Sequence, residues 1–333
     1  MATINSASGA DWNTGSTWAG GAVPGTGDRA NIQHAVTLAA NPTNNIESLA
    51  IDSGGTLTCS NTPLITVTGG GDSSVVFHQG TLVNDCDLAI TGGAGKEIAS
   101  IGTGNFNDIT LNNSGNTLTI ANGTLTVDGD LTITAGTLDT DSSNNRALTV
   151  TGDASVTGTL TGNASAISLG SLGIVSGGTY SATTGVTTIT GEGAGGGGYA
   201  WHNAGTFTHN NGTVTLTSTT DTHLQDNTFY NLIINGNASS RQFIFRDKSG
   251  NLVTVANDLT ITQGTFFRNL GTATLTVTGD VSVAANGILG DGGDTGPNNF
   301  GSLTINSGGT YNATSGTTTI TSELAGVAWN NTG

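Results

Sequence analysis

The chain has 333 residues, of which 53 are glycine and only 9% are charged, and its 23 acidic against 7 basic residues give a formal net charge of −16. Such a surface repels phosphate backbones, which argues against nucleic acid as a partner, and no apolar run approaches the ~18 residues of a membrane-spanning helix. Leu, Ile, Val and Phe together make about a fifth of the residues, near the level at which chains stay disordered, so order has to come from pattern.

Met1-Ala-Thr-Ile-Asn has neither a basic nor an apolar leader region. The expectation is a chain that is not exported by a signal peptide, or one whose leader has been removed. Residues 1 to 45 then differ from all that follows. Trp12, Trp18, Gly20, Gly21, Pro24, Asp28 and Ile32 stand in the pattern W-x(5)-W-x-G-G-x-V-P-x(3)-D-x-A-x-I. This pattern resembles the opening segment of many bacterial surface and phage β-helical proteins. The resemblance implies a first coil built around tryptophans, with Trp12, Trp18, Pro24 and Asp28 as a structural cap. A solenoid end exposes an apolar cross-section that a cap must cover. Stacking of a sugar on the two tryptophans is the functional alternative.

Residues 46 to 105 read as first coils, in short runs such as Leu64-Ile-Thr-Val and Asp87-Leu-Ala-Ile-Thr. Alternate side chains of a strand point to opposite faces, so such runs place Leu, Ile or Val inward and Thr outward. Cys59 and Cys86 lie about one coil apart, which permits a disulfide between neighbouring coils. Two small buried residues in adjacent turns are the alternative.

Two long units follow, 106 to 228 and 229 to 333. Asp130-Leu-Thr-Ile-Thr returns at Asp258, Leu148–Asp153 returns at Leu275–Asp280, Ser171–Thr190 returns at Ser302–Thr321, and Ala200-Trp201 returns at Ala328-Trp329. A duplicated unit is the signature of an array whose neighbours complete each other's core. The strands between are expected to be three to five residues long. Asn122-Gly, Asn211-Gly, Asn235-Gly and Asn286-Gly suit turns that need positive φ. No window offers a helical stripe. Short strands at this spacing fit a sandwich or a solenoid, and only the solenoid explains a recurring unit. The fold class is therefore all-β, a parallel β-helix. The second unit stops at Trp329-Asn-Asn-Thr-Gly, where the first continues for a further coil, so we expect continuation by more sequence or by another chain, with Leu324, Val327 and Trp329 against it.

No residue set points to catalysis. Glu47, Glu97, Glu192 and Glu323 are the only glutamates, and the aspartates sit at repeated turn positions. Asp128-Gly-Asp130, Asp139-Thr-Asp141 and Asp291-Gly-Gly-Asp294 could offer oxygens to calcium, against local hydrogen bonding in turns. His34, His78, His202, His209 and His223 follow no metal-ligand spacing. Thr-x-Thr ladders suggest ice binding, but unequal repeat offsets argue against a constant coil. We expect no catalytic residue and no obligate cofactor.

In architecture and composition the chain resembles the shaft portions of phage tail-fibre or virion surface proteins, and next bacterial adhesins and surface filaments. That resemblance implies a non-enzymatic structural role in a virion or at a cell surface, with other copies or a longer fibre as partners. A tailspike-like protein that binds or cleaves surface polysaccharide is the further alternative.

Overall fold

The computed structural model describes residues 2–69, 74–93, 96–191, 198–225, 227–246, 252–268, 272–322 and 327–332. The protein is a parallel β-solenoid, and among the described residues the single helical element is the 3-10 turn Gly15–Thr17. Two compact units are distinguished, one formed by residues 1–166 with 177–180 and the other by 167–176 with 181–333. The division falls inside the first long repeat, because compactness follows coil-to-coil contact and the repeat boundary follows duplication.

In the first unit, Thr3–Asn5 pairs with Arg29–Ile32, which pairs in turn with Ser48–Ile51, and that strand with Ser74–His78. All are parallel. Beside them run Leu64–Val67, Asp87–Thr91, the start of Ile109–Gly123, the start of Leu131–Asp139 and the end of Leu148–Val156. Ile90, Leu111, Ile133 and Val156 fall in register along this ladder, and each is at most 1% exposed. The outward residues Thr110 and Thr132 stand opposite one another and stay half-buried. Alternation thus puts a branched apolar column inside and a hydroxyl column outside, with rungs about 4.8 Å apart.

Several strands exceed the expected length. Ile109–Gly123 has 15 residues and Thr274–Leu289 has 16. The reason is that pairing continues around the corners: Leu275, Val281 and Leu289 of one strand pair with Asn298, Leu303 and Tyr311 on three different ladders. The Asn-Gly pairs divide for the same reason. Positive φ occurs at Gly123 and Asn211, but Asn286 and Gly287 lie within Thr274–Leu289. A corner of a parallel coil is not a hairpin and does not demand a left-handed pair. Glycine at 287 is needed because the carbonyl oxygen of Ile261 occupies the place of a Cβ.

The second unit shows three ladders. One runs through Leu169, Ile189, Leu216, Ile234, Ile261, Val283, Ile305 and Asn331. Another runs through Leu172, Trp201, Leu224, Phe245 and Arg268. The third includes Val255, Val277 and Phe300. Ile174 and its repeat counterpart Ile305 stand on different ladders, the former paired with Asn203 and the latter with Asn331. The duplicated length is therefore not a whole number of turns. Aromatic rings fill the centre of this unit, with Trp201 and Phe229 centroids 5.2 Å apart, Phe229 and Phe245 6.2 Å, and Phe245 and Phe266 5.2 Å, all edge to face.

Candidate functional site

The repeated aspartates form columns. Asp87 Oδ1 accepts the backbone N–H of Asp108 at 3.2 Å, Asp108 Oδ1 that of Asp130 at 2.8 Å, and Asp130 Oδ1 that of Asp153 at 2.7 Å. The second unit repeats the device: Asp258 Oδ1 accepts Asp280 N–H at 2.9 Å, and Asp280 Oδ1 accepts the Ser302 hydroxyl at 2.7 Å. Each carboxylate thus ties its own coil to the next. The glycine before Asp130, Asp153 and Asp280 is explained as well. A Cβ on Gly129 would run into Asp108 Oδ1, on Gly152 into Asp130 Oδ1, and on Gly279 into Asp258 Oδ1. The recurring Gly-Asp dipeptide is the sequence mark of this column.

The acidic groups considered for calcium are occupied by such local bonds. Asp128 Oδ1 accepts from Asn105 at 3.1 Å, and Asp139 Oδ1 from the Asp141 N–H at 2.7 Å and from Asn163 at 2.9 Å. Asp141 accepts from the Ser143 N–H at 2.9 Å and from Asn144 at 2.6 Å. The side-chain bond from Asn144, then the backbone one from Ser143, hold its carboxyl below the ordinary value. Asp291 Oδ1 accepts the Gly293 N–H at 2.8 Å, and Asp294 faces Arg268 at 3.3 Å. Among the described residues no group of three or more His, Cys, Asp or Glu side chains is placed to hold a metal ion.

Trp12 and Trp18 are 0% and 2% exposed and meet edge to face at 5.0 Å. The Trp18 indole N–H donates to the carbonyl of Trp12 at 2.7 Å. Pro24 is buried, and Asp28 Oδ2 accepts the Gly25 N–H at 3.0 Å. Residues 17 to 19 run against the first strand: Ala7 N–H donates to Thr17 O at 2.7 Å, Ala19 N–H donates to Asn5 O at 2.9 Å, and Ser6 bridges Trp18 antiparallel. A sugar has no access to indole faces buried to this degree.

Cys59 and Cys86 form a disulfide with Cα atoms 5.4 Å apart. His78 is buried, with Nε2 3.2 Å from Thr103 O and its ring against Phe106 at 6.3 Å. Burial pushes its pKa below 6.5, against backbone bonds to Thr103 and Gly80 that raise it. His202 and His223 both meet the ring of Tyr199, at 5.8 and 6.5 Å, while His209 lies against Tyr230 at 5.5 Å. His34 Nδ1 is 3.1 Å from the Ser6 hydroxyl. The structure does not bring the five histidines to one place. Glu192, Glu323 and Leu324 lie outside the described residues.

A polar trough of about 380 Å³ lies in the first unit, lined by Gly115, Gly136, Gly158, Thr117, Thr137 and Thr159 among others. Thr117, Thr137 and Thr159 stand in register on successive strands. The glycine column beside them lets the corners stack closely, since a Cβ on Gly158 would meet the Gly136 carbonyl oxygen. Sequence reasoning saw the threonines but not this trough, which depends on glycines aligning at corners of unequal coils.

No protein-family model matches the chain, and no curated protein or solved structure is significantly similar to it.

Proposed function

We propose that the protein is a non-enzymatic structural β-solenoid that forms the shaft of an extracellular or virion fibre. The observation that carries this reading is the use of its repeated polar side chains. Asp130 and its counterpart Asp258 each bind the backbone of the next coil, so these recurring residues are ones that stack coils. A chain shaped by selection for stacking fits a role in which length and stiffness are the product, with further coils or further copies as its partners.

The test is where the protein is found and what it does to glycans. Antibody labelling and mass spectrometry of purified virions or surface filaments should find it as a stoichiometric component. Incubation with a broad panel of capsular and surface glycans should release no reducing ends. Product release that disappears on replacing one carboxylate would overturn the structural role in favour of a tailspike-like enzyme.

A further inference from the structure

Asn-Gly occurs four times, at Asn122, Asn211, Asn235 and Asn286, and in each pair the asparagine is exposed. The glycines are not alike. Gly212, Gly236 and Gly287 are buried, whereas Gly123 is half-buried. The Gly212 N–H donates to His209 O at 2.9 Å and the Gly236 N–H to Gln263 O at 2.9 Å. Gly287 pairs with Gly264 inside the ladder between Leu259–Arg268 and Thr274–Leu289. The Gly123 N–H donates instead to Oδ1 of Asn122, the side chain that precedes it in sequence, at 2.9 Å.

That contact sets a nucleophile against an electrophile. The Gly123 nitrogen lies beside Cγ, the carboxamide carbon that carries Oδ1, on the approach from which a five-membered ring closes. Holding the two together replaces the search that a flexible chain must make, and glycine has no side chain to obstruct the approach. The corner also requires its glycine, since Gly123 has φ 75° and a Cβ there would run into the Ser100 carbonyl oxygen.

We infer that Asn122-Gly123 is a self-modifying site, where asparagine is converted to aspartate and isoaspartate with water as the co-reactant. Hydroxide removes the proton from the Gly123 nitrogen, which bonds to Cγ of Asn122. The Cγ–Nδ2 bond breaks, and Nδ2 takes a proton from water and leaves as ammonia. One water then opens the succinimide ring. Attack at Cγ gives aspartate, and attack at the backbone carbonyl carbon of residue 122 gives isoaspartate, whose main chain runs through Cβ and Cγ. No atom changes oxidation state. Both products add a negative charge, and the isoaspartyl form lengthens the backbone where Ala99 pairs with Asn122 and Ser100 with Gly123, which breaks that register. The site goes beyond the shaft role and does not depend on it.

The experiment ages the purified full chain in mildly alkaline buffer made with heavy-oxygen water, then maps its peptides by tandem mass spectrometry with fragmentation that separates aspartate from isoaspartate. Heavy oxygen should enter at residue 122, in both products, at least about tenfold faster than at 211, 235 or 286, because those three must first open a protected segment. In the urea-unfolded chain all four sites should react at similar rates. Asn122→Gln should silence the site and leave the other three unchanged. Hydrogen-exchange protection along Lys96–Ser100 should fall in molecules that carry isoaspartate and persist in the Asn122→Asp variant. Equal rates at the four sites of the folded chain, or a rate at residue 122 that folding suppresses as much as the others, overturns the inference. Full protection along Lys96–Ser100 in the isoaspartyl molecules overturns the break in register.

Discussion

Arg268 and Asp294 form a buried ion pair, Nη2 to Oδ2 3.3 Å, at the place where the first long repeat has a 2.8 Å hydrogen bond from the Ser165 hydroxyl to that of Thr140. Arg268 follows Leu259 as Thr140 follows Leu131, and Asp294 follows Leu289 as Ser165 follows Leu160. One duplicated interior corner is thus neutral and the other charged. Asp294 Oδ1 has no hydrogen-bond partner among the described residues, so the charged version is incompletely satisfied. Removing one partner of a buried pair leaves an isolated charge and costs about 3–5 kcal/mol, whereas replacing both can be neutral or stabilising. Arg268→Thr should therefore lower the denaturation midpoint sharply, and Arg268→Thr with Asp294→Ser should recover it. Equal midpoints for the single variant and the parent would refute the pair's energetic role.

The same corner sets a pH dependence. Burial raises the Asp294 carboxyl above 3.8, with Arg268 opposing. Between 3.8 and the raised value the folded state holds a proton that the unfolded chain has released, so stability falls as pH rises through that window. The double variant should show a flatter profile there in urea titrations at a series of pH values.

His78 works in the opposite sense. Its folded pKa lies below 6.5, so its contribution is complete above 6.5 and is lost as pH falls below it, when the unfolded chain takes up a proton that the buried ring resists. His78→Gln should remove this loss, read as a smaller drop in thermal midpoint as pH is lowered below 6.5. An unchanged drop would assign it to other groups.

The disulfide closes a sequence separation of 27 residues, which in the chain-entropy account is worth about 3–4 kcal/mol. Reduction, or Cys59→Ala with Cys86→Ala, should lower stability by that order without abolishing the solenoid in the second unit. Hydrogen exchange by residue checks both parts, since protection should fall around Ala35–Leu38, Thr56–Cys59 and Thr81–Val83, which pair with one another.

Stacked aspartates should respond to acceptor loss more than to charge loss. Asp108→Asn keeps an oxygen for the Asp130 N–H and removes a like charge from the column, so it should be near neutral. Asp108→Ala should cost about 0.5–1.5 kcal/mol, the net worth of an ordinary hydrogen bond, because this contact lies at the surface. Gly129→Ala should cost at least as much through the clash with Asp108 Oδ1, and in the Asp108→Ala background its cost should shrink. Additive costs in this double-mutant cycle would show that the glycine is required for another reason.

Much of the fold is legible in the sequence, because alternation and duplication are properties of the chain alone. Leu131-Thr-Ile-Thr states its strand and its inward face without help. Corner chemistry is harder to read. Asn286-Gly287 resembles a turn, but the carbonyl of Ile261, 26 residues earlier in the chain, decides its role. The aspartate columns were visible only as common turn residues, since a bond from Asp108 to Asp130 spans 22 residues and becomes a contact only when the coil length is known. The charge of the corner at Arg268 and Asp294 was missed for a similar reason. Each of these residues reads as a solvated loop residue until the chain brings its partner beside it.

The displacement of the two repeats between ladders governs how their surfaces can be used. Had the duplication added whole turns, Ile174 and Ile305 would stand above one another, and every outward residue beside them would be doubled along one side. Because they stand on different ladders, near-identical sequence faces different directions. A receptor or antibody that recognises the outward residues beside Ile174 cannot engage those beside Ile305 by sliding along the same side. The second copy therefore gives binding from another bearing around the axis instead of added avidity along one line.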